Sequence, residues 1–292
     1  MNCFFRDQQE ALYKATKPYQ YVGGEFLSFN KDFDSAKVRF AFVFPDKYEI
    51  GISNLGVRII YDRVNSHPRM MADRVYAPEP DFQPEFLYGV ESKRALKDFD
   101  GVGFSLQYEL SYPTVLKMLE MGGITVRNDK RRDDEPIILA GGPCTFNPLP
   151  LAEFIDVFCI GDGEEMMVEV CEVLEKTKGM PRRQRIEQLC KLKGCWGAGV
   201  SQTVEKRLAP LTLEYASTSY PIPFSSSVHD RAIVEIRRGC GRMCRFCQPG
   251  HVTLPIRERS AEDIIKITKE LIKNTGYDEY SILSLSSKLL RK

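Results

Sequence analysis

Short apolar runs alternate with amphipathic stretches over the first two thirds of the chain. Four runs have the length and composition of buried strands: residues 38–44, 102–105, 137–140 and 157–160. Apolar positions recur at helical spacing in four further segments: residues 56–65, 113–121, 167–174 and 182–192. Continuous apolar strands separated by helices are typical of a parallel sheet that is covered on both faces. The pattern therefore predicts an α/β fold with a Rossmann-like, doubly wound parallel sheet.

The pattern changes after residue 200. Prolines and serines between residues 201 and 230 indicate an irregular connection, and the apolar run at 232–236 predicts another strand. Ser260 opens a capping-box pattern that predicts a helix as far as Lys273, and residues 280–285 predict one more strand. A second β/α unit therefore follows the first domain, and a polar loop leaves the carboxyl end of its first strand.

That loop contains three cysteines, Cys240, Cys244 and Cys247, at C-x3-C-x2-C spacing. Loops at the carboxyl ends of strands carry the catalytic groups of many α/β proteins. Three thiolates so close together indicate a metal centre. One candidate is a four-iron cluster with one iron left open, and the other is zinc with His251 or a distant cysteine as its fourth ligand.

The charge of the chain is balanced overall but not around these cysteines. The sequence has 41 Lys and Arg against 40 Asp and Glu, so nothing global favours a nucleic acid or a membrane surface. Residues 230–259, in contrast, hold seven arginines against three carboxylates. We expect this excess to suit an anionic cluster and a substrate carboxylate.

The use of cysteine indicates a reducing compartment. Nine cysteines stand at scattered positions, and residues 1–6 lack the apolar core of a signal peptide. No apolar run approaches the roughly 20 residues that a membrane span needs. We therefore expect a cytoplasmic protein without a disulfide framework.

With Phe246 directly before the last cysteine, the loop resembles the signature of the radical S-adenosylmethionine (SAM) superfamily, and the chain resembles those members that carry a cobalamin-binding-like domain ahead of the barrel. The resemblance implies that the three cysteines hold a 4Fe-4S cluster whose fourth iron binds SAM. One electron then cleaves SAM to methionine and a 5′-deoxyadenosyl radical, which abstracts hydrogen for a methylation or a rearrangement. It also implies that Phe246, Gln248 and Ser284 contact SAM, the last because Ser284, Ser286 and Ser287 stand where many members have Gly-Gly-Glu.

The cobalamin-binding family pattern is only partly present in the first domain. Its elements D-x-H-x-x-G, S-x-L and G-G correspond here to six residues: Asp46, Tyr48, Gly51, Ser105, Gly141 and Gly142. Tyr48 stands where a histidine would reach cobalt, so the usual axial ligand is replaced. The resemblance allows cobalamin as a further cofactor that binds without this ligand, or a domain that only docks the barrel.

These patterns predict four segments: an N-terminal arm (1–36), a cobalamin-binding-like Rossmann-type domain (37–200), a linker (201–229) and the first part of a radical SAM barrel (230–292). A barrel needs about six β/α units of roughly 30 residues, so we expect an incomplete barrel, from a fragment or a frameshifted gene. A flavodoxin- or ferredoxin-type electron donor and a separate barrel remainder are the partners expected. The alternatives are a non-catalytic zinc- or cluster-binding module and an inactive truncated product.

Overall fold

The computed structural model of the protein describes residues 8–201, 203–225 and 227–286. Within these residues the larger sheet has six strands: β1 (Val38–Phe44), β2 (Met70–Tyr76), β3 (Gly101–Ser105), β4 (Ile137–Gly141), β5 (Val157–Cys159) and β6 (Cys195–Trp196). They lie in the order β2-β1-β3-β4-β5-β6, and every neighbouring pair is parallel except β5–β6. This order creates a topological switch point between β1 and β3, where open α/β sheets bind their ligands.

Helices connect these strands. The described ranges contain α1 (Gln9–Lys14), α2 (Tyr48–Gly51), α3 (Leu55–Ser66), α4 (Tyr112–Met121), α5 (Met166–Lys176), α6 (Arg182–Leu189), α7 (Gln248–Val252) and α8 (Ala261–Thr275). Short 3-10 turns lie at Pro18–Tyr21, Leu96–Asp98, Glu109–Ser111, Asn128–Lys130, Pro143–Phe146, Leu149–Leu151 and Leu213–Tyr215. At the start of α3, the Asn54 side chain accepts a hydrogen bond from the Val57 amide at 3.0 Å, which satisfies one of the free donors of that helix end. In the described part of the chain, no helix is both long and apolar enough to cross a bilayer.

The two faces of the sheet bury different residues of β1. Phe40 and Phe42 belong to the core that packs on α3 and α5. Ala41 and Val43 belong to the opposite core, which includes α4. Helices therefore cover both faces, and the predicted Rossmann-like, doubly wound parallel fold is confirmed.

Strand β2 was not predicted, because its centre carries two charged residues. Asp73 and Arg74 are nonetheless buried, at 0% and 3% exposure. Arg74 forms ion pairs with Glu25 at 2.8 Å and with Glu91 at 2.6 Å. Because Glu25 belongs to the N-terminal arm, this pair attaches the arm to the edge of the sheet.

A smaller α/β unit follows the linker. It contains β7 (Ala232–Glu235), β8 (Arg237–Arg238), β9 (Arg257–Glu258) and β10 (Tyr280–Leu283). Strands β7 and β10 are parallel and joined through α8, while β8 and β9 form an antiparallel ribbon. The Ser260 hydroxyl accepts a hydrogen bond from the Asp263 amide at 3.1 Å, as the capping pattern predicted. Strands β7 and β10 with α8 between them form the β/α/β unit that the sequence predicted, and the β8–β9 ribbon and α7 are additional. Residues 287–292 of the predicted segment lie outside the described residues.

Replacing Arg74 by Met should lower the free energy of unfolding by about 3–5 kcal/mol at neutral pH, because two buried carboxylates lose their counterion. Burial already raises the pKa of Glu91 to about 8, even though the Arg74 guanidinium opposes this rise. Without Arg74 the pKa of Glu91 should rise further, so the variant should lose more stability than the wild type does as pH rises from 6 to 8. Urea unfolding at the two pH values measures this loss.

The matched control is Arg94→Met, since Arg94 pairs with Asp34 at 2.6 Å on the surface. Exposed pairs contribute about 1 kcal/mol or less. Equal losses for the two variants, or no dependence on pH for Arg74→Met, would contradict the buried-pair account.

Candidate cofactor site between the sheet and the cysteine loop

A cavity of about 310 Å³ lies beside the switch point of the sheet. Its walls come from β1, β3, β4 and β5, from the first turns of α3 and α5, and from the ends of β7 and β10. Aromatic and aliphatic side chains such as Phe42, Ile60 and Met167 form its apolar part. The cavity therefore lies where the first domain meets the unit that carries the cysteines.

Glycines keep part of this cavity wall free of side chains. A Cβ atom at Gly103 would lie 2.8 Å from the ring of Phe40, so the ring covers the strand only because Gly103 has no side chain. Gly142 has φ +97° and ψ 176°, a conformation that is open essentially to glycine alone, and a Cβ there would approach the Leu106 carbonyl oxygen to 2.5 Å. At Gly141, in contrast, a Cβ would meet no atom within 4 Å.

The structure divides the six residues of the cobalamin-like pattern into two groups. Ser105, Gly141 and Gly142 line the cavity. Asp46, Tyr48 and Gly51 are not among its lining residues. The second group lies around α2. The structure therefore does not bring these three residues to the cavity wall with the first group.

Tyr48 is buried in the core, at 2% exposure. Its hydroxyl donates to Glu25 Oε1 at 2.9 Å, and its ring packs edge-on against Tyr76 with 5.2 Å between the centroids. Burial raises the pKa of Tyr48 far above its usual value, and Glu25 raises it further. This side chain is thus a neutral hydrogen-bond donor to the arm. Asp46 accepts a long hydrogen bond from Tyr108 at 3.3 Å, and Gly51 packs against Tyr76.

The three cysteines lie on one loop between the strands of the β8–β9 ribbon. Cys240 is buried, and Cys244 and Cys247 are half-buried; all three are free thiols. The loop turns at Met243, which has φ +50°, and the Cys247 amide donates to the Cys244 carbonyl at 3.0 Å. His251 Nε2 lies 3.1 Å from the same carbonyl oxygen.

Three thiols on one loop supply the donor set of a site-open 4Fe-4S cluster. In the ranges that the structure describes, however, no three Cys, His, Asp or Glu side chains are grouped closely enough to hold a metal ion. The three cysteines therefore fit such a cluster in ligand type, in number and in their placement on a single loop. Assembly of a cluster would require the side chains to close together.

The residues predicted to contact SAM lie around the same loop. Phe246 is 92% exposed, and Gln248 is the exposed first residue of α7. Ser284 follows β10, and because β10 is parallel to β7 it lies at the edge of the sheet from which the cysteine loop leaves. Ser286 accepts a hydrogen bond from Arg237 at its carbonyl, at 3.0 Å, whereas Ser287 lies outside the described residues. Ser284 thus follows a strand at the sheet edge, whereas Phe246 and Gln248 are exposed in and directly after the cysteine loop.

Sequence reasoning missed a group of ion pairs between the cavity and the loop. Arg238, two residues before Cys240, pairs with Asp162 at 3.0 Å, with Glu164 at 2.8 Å and with Glu235 at 2.8 Å. Two acidic residues after β5 thus form ion pairs with the arginine that leads into the cysteine loop. The position of Asp162 between Gly161 and Gly163, at the carboxyl end of β5, was the signal that could have indicated a site.

Asp162 and Arg238 are both charged in the folded protein. Burial alone would raise the pKa of Asp162, but Arg238 and a hydrogen bond from Arg257 outweigh it and hold that pKa below its ordinary value. Burial would likewise lower the pKa of Arg238, yet Glu235, Glu164 and Asp162 raise it far above its usual range. The ion pair between Asp162 and Arg238 therefore persists across the neutral pH range.

Part of the chain is similar to a known protein family. Residues 56–197 match the family model described as "Radical SAM proteins, N-terminal". Uncharacterized protein MJ0966 of Methanocaldococcus jannaschii is 25% identical over 251 residues, which cover 84% of this chain and 49% of that protein.

The fold is similar to that of a solved radical S-adenosylmethionine methyltransferase, TsrM from Kitasatospora setae, determined with cobalamin and a 4Fe-4S cluster bound. The TM-score is 0.52 at 11% identity, and the match covers 84% of this chain and 48% of that chain. A TsrM structure with tryptophan substrate and the SAM analogue aza-SAM gives a TM-score of 0.46 at 10% identity, over 84% of this chain and 47% of that one. This chain thus spans about half the length of the relatives that it matches.

The two neighbouring glycines of the cavity wall should respond differently to the same substitution. Gly142→Ala should lower the free energy of unfolding by roughly 3 kcal/mol, because alanine strains both the backbone and the contact with Leu106. Gly141→Ala should change it by less than about 1 kcal/mol, since its Cβ would enter open space. Urea unfolding of both variants checks this; equal effects would contradict the geometry of the cavity wall.

Proposed function

We propose that this chain is the cluster-bearing part of a radical SAM enzyme and that its first domain is cobalamin-binding-like, because residues 56–197 match the model of radical SAM N-terminal domains and the fold is similar to that of TsrM. The proposed ligands of a 4Fe-4S cluster are Cys240, Cys244 and Cys247. The observation that supports this most strongly is the loop itself, with three free thiols at the carboxyl end of β7. The first domain, which lies next to this loop, contains the residues that match the radical SAM family model.

In this proposal the cluster, when bound, supplies reductive cleavage of SAM, and the chain's own residues bind and orient the participants. Exposed Arg242 and Arg245 on the loop bring positive charge close to an anionic cluster and to the carboxylate of SAM. The exposed ring of Phe246 can cover an adenine, and Gln248 and Ser284 can donate hydrogen bonds to SAM. A flavodoxin- or ferredoxin-type protein would deliver the electron, and methylation or rearrangement of an unactivated carbon would be the reaction of the whole protein.

The domain assignment follows the same proposal. Residues 1–36 would form an arm, 37–200 the cobalamin-binding-like domain, 201–229 a linker, and 230–292 the first part of the barrel. A separate β/α remainder would complete the barrel and supply most contacts to the substrate.

The cavity of the first domain supports corrinoid binding as a second proposal. Ser105, Gly141 and Gly142 offer a hydroxyl and accessible backbone at its wall, and its volume of about 310 Å³ suits part of a large cofactor. Tyr48 is engaged with Glu25 in the core, so cobalamin would bind here without a protein ligand from α2.

The iron content after reconstitution tests the cysteine assignment. Wild-type protein treated with iron and sulfide without oxygen should turn brown and hold about four irons per chain. Cys244→Ala should lose the iron absorbance, whereas Cys190→Ala, which removes a half-buried thiol in the first domain, should keep it. Full iron content in Cys244→Ala would overturn the ligand assignment, and a colourless wild-type protein with one zinc would favour the zinc-stabilised binding module.

Titration with hydroxocobalamin, followed by absorbance and equilibrium dialysis, tests the corrinoid proposal. Gly141→Leu should weaken binding at least about tenfold, a change of roughly 1.4 kcal/mol, because its side chain would fill the cavity. Gly141→Ala and Tyr48→Phe should both bind like the wild-type protein. Loss of binding in Tyr48→Phe with retention in Gly141→Leu would place the corrinoid elsewhere.

A further inference from the structure

The ribbon that closes the cysteine loop brings two positive charges face to face. Arg238 of β8 and Arg257 of β9 are direct cross-strand partners. Like charges in this position repel and destabilise a pair of strands. Both side chains are largely buried, at 15% and 18% exposure, so water screens the repulsion poorly. The ribbon therefore needs a counter-charge near both guanidinium groups.

Asp162 provides that counter-charge from the other domain. Its Oδ1 lies 3.0 Å from Arg238 Nη1, and its Oδ2 accepts a hydrogen bond from Arg257 Nη1. Oδ2 also accepts from the Ala209 amide at 2.8 Å, and the Asp162 amide donates to the Arg207 carbonyl at 3.0 Å. The Asp162 carboxylate thus bridges both arginines, while Glu164 and Glu235 pair with Arg238 but not with Arg257. The loop after β5 and the linker fix the position of the Asp162 carboxylate.

The ribbon holds the two ends of the cysteine loop close together. A Cβ at Gly239 would lie 2.9 Å from the carbonyl oxygens of Thr253 and Pro255, so the ends touch directly after Arg238. From the linker, Lys206 donates to the Val252 carbonyl at 2.8 Å. If the ribbon opens, the two ends of the cysteine loop are no longer held together, and the residues between them are no longer fixed relative to one another.

We propose that Asp162 is a positioning residue for the cysteine loop: it bridges Arg238 and Arg257 and so keeps the base of the loop closed before a cluster binds. Its consequence for cluster assembly rests on the proposed function, whereas the closure of the loop without metal rests on the ion pairs alone. Because Asp162 and Arg238 also line the cavity, the first domain and the cysteine loop share one ionic contact.

Hydrogen exchange of the metal-free protein tests the closure directly. In Asp162→Asn, the amides of the β8–β9 ribbon and of Arg259, which donates to the Ile236 carbonyl at 2.9 Å, should exchange at least about tenfold faster than in the wild type. Asp156→Asn is the matched control: Asp156 precedes β5, its carboxylate is 1% exposed, and it lies between Arg131 and Arg182. That variant should lower the melting temperature and leave exchange in the ribbon unchanged.

A second substitution separates bridging from general damage. Adding Arg257→Gln to Asp162→Asn removes the repulsion and should restore much of the lost protection, giving a non-additive double-mutant cycle. Arg257→Gln alone should exchange within about twofold of the wild type, since Asp162 still pairs with Arg238. Unchanged exchange in Asp162→Asn, an additive cycle, or loss of protection in Arg257→Gln alone would each overturn the proposal. Loss of protection in Arg257→Gln alone would overturn the proposal even if Asp162→Asn does not fold.

Reconstitution with iron and sulfide then tests the link to the cluster. Asp162→Asn should hold less than about half the iron of the wild type and lose it faster to a chelator. Asp156→Asn and the double variant should each hold more iron than Asp162→Asn. If the wild type binds no iron, the proposed function fails while the exchange results still decide the role of Asp162. If the wild type and Asp162→Asn bind iron equally and with equal stability, the positioning role in assembly is wrong.

Discussion

The carboxylate of Asp162 forms an ionic bridge between the two halves of this chain. It lies at the carboxyl end of a strand of the first sheet and bonds to arginines on both strands of the ribbon that bounds the cysteine loop. Surface ion pairs contribute little, but this group is largely buried, and a partner left unpaired there would carry a large desolvation cost. The relative placement of the cavity and the loop therefore depends on charge neutralisation as much as on apolar packing.

A second constraint is the absence of side chains along part of the sheet. Phe40 covers β3 because Gly103 leaves room for its ring, and Gly142 takes a conformation that other residues avoid. These positions leave an open wall at the switch point between β1 and β3. The cavity and the ion pairs meet at Arg238, so a ligand in the first domain would lie against the residue that leads into the cysteine loop.

Much of the fold was predictable because its strands are continuous apolar runs and its long helices are amphipathic. Strand β2 escaped prediction because Asp73 and Arg74 interrupt its apolar pattern, and the two partners of Arg74, Glu25 and Glu91, lie 49 and 17 residues away in the chain. The cysteines could be found because their spacing is local. The role of Asp162 could not, since its partners are 76 or more residues away in the chain and their register appears only when the ribbon forms. The same holds for Tyr48, whose hydrogen bond to the arm gives no signal in the sequence.

The central claim is that the loop of Cys240, Cys244 and Cys247 holds a four-iron cluster with one iron open to SAM. The most direct measurement is electron paramagnetic resonance of the reconstituted, dithionite-reduced protein with and without SAM. The account predicts the signal of a reduced 4Fe-4S cluster whose g values shift when SAM is added. A protein that gives no such signal, or one whose signal is the same with saturating SAM, would contradict it.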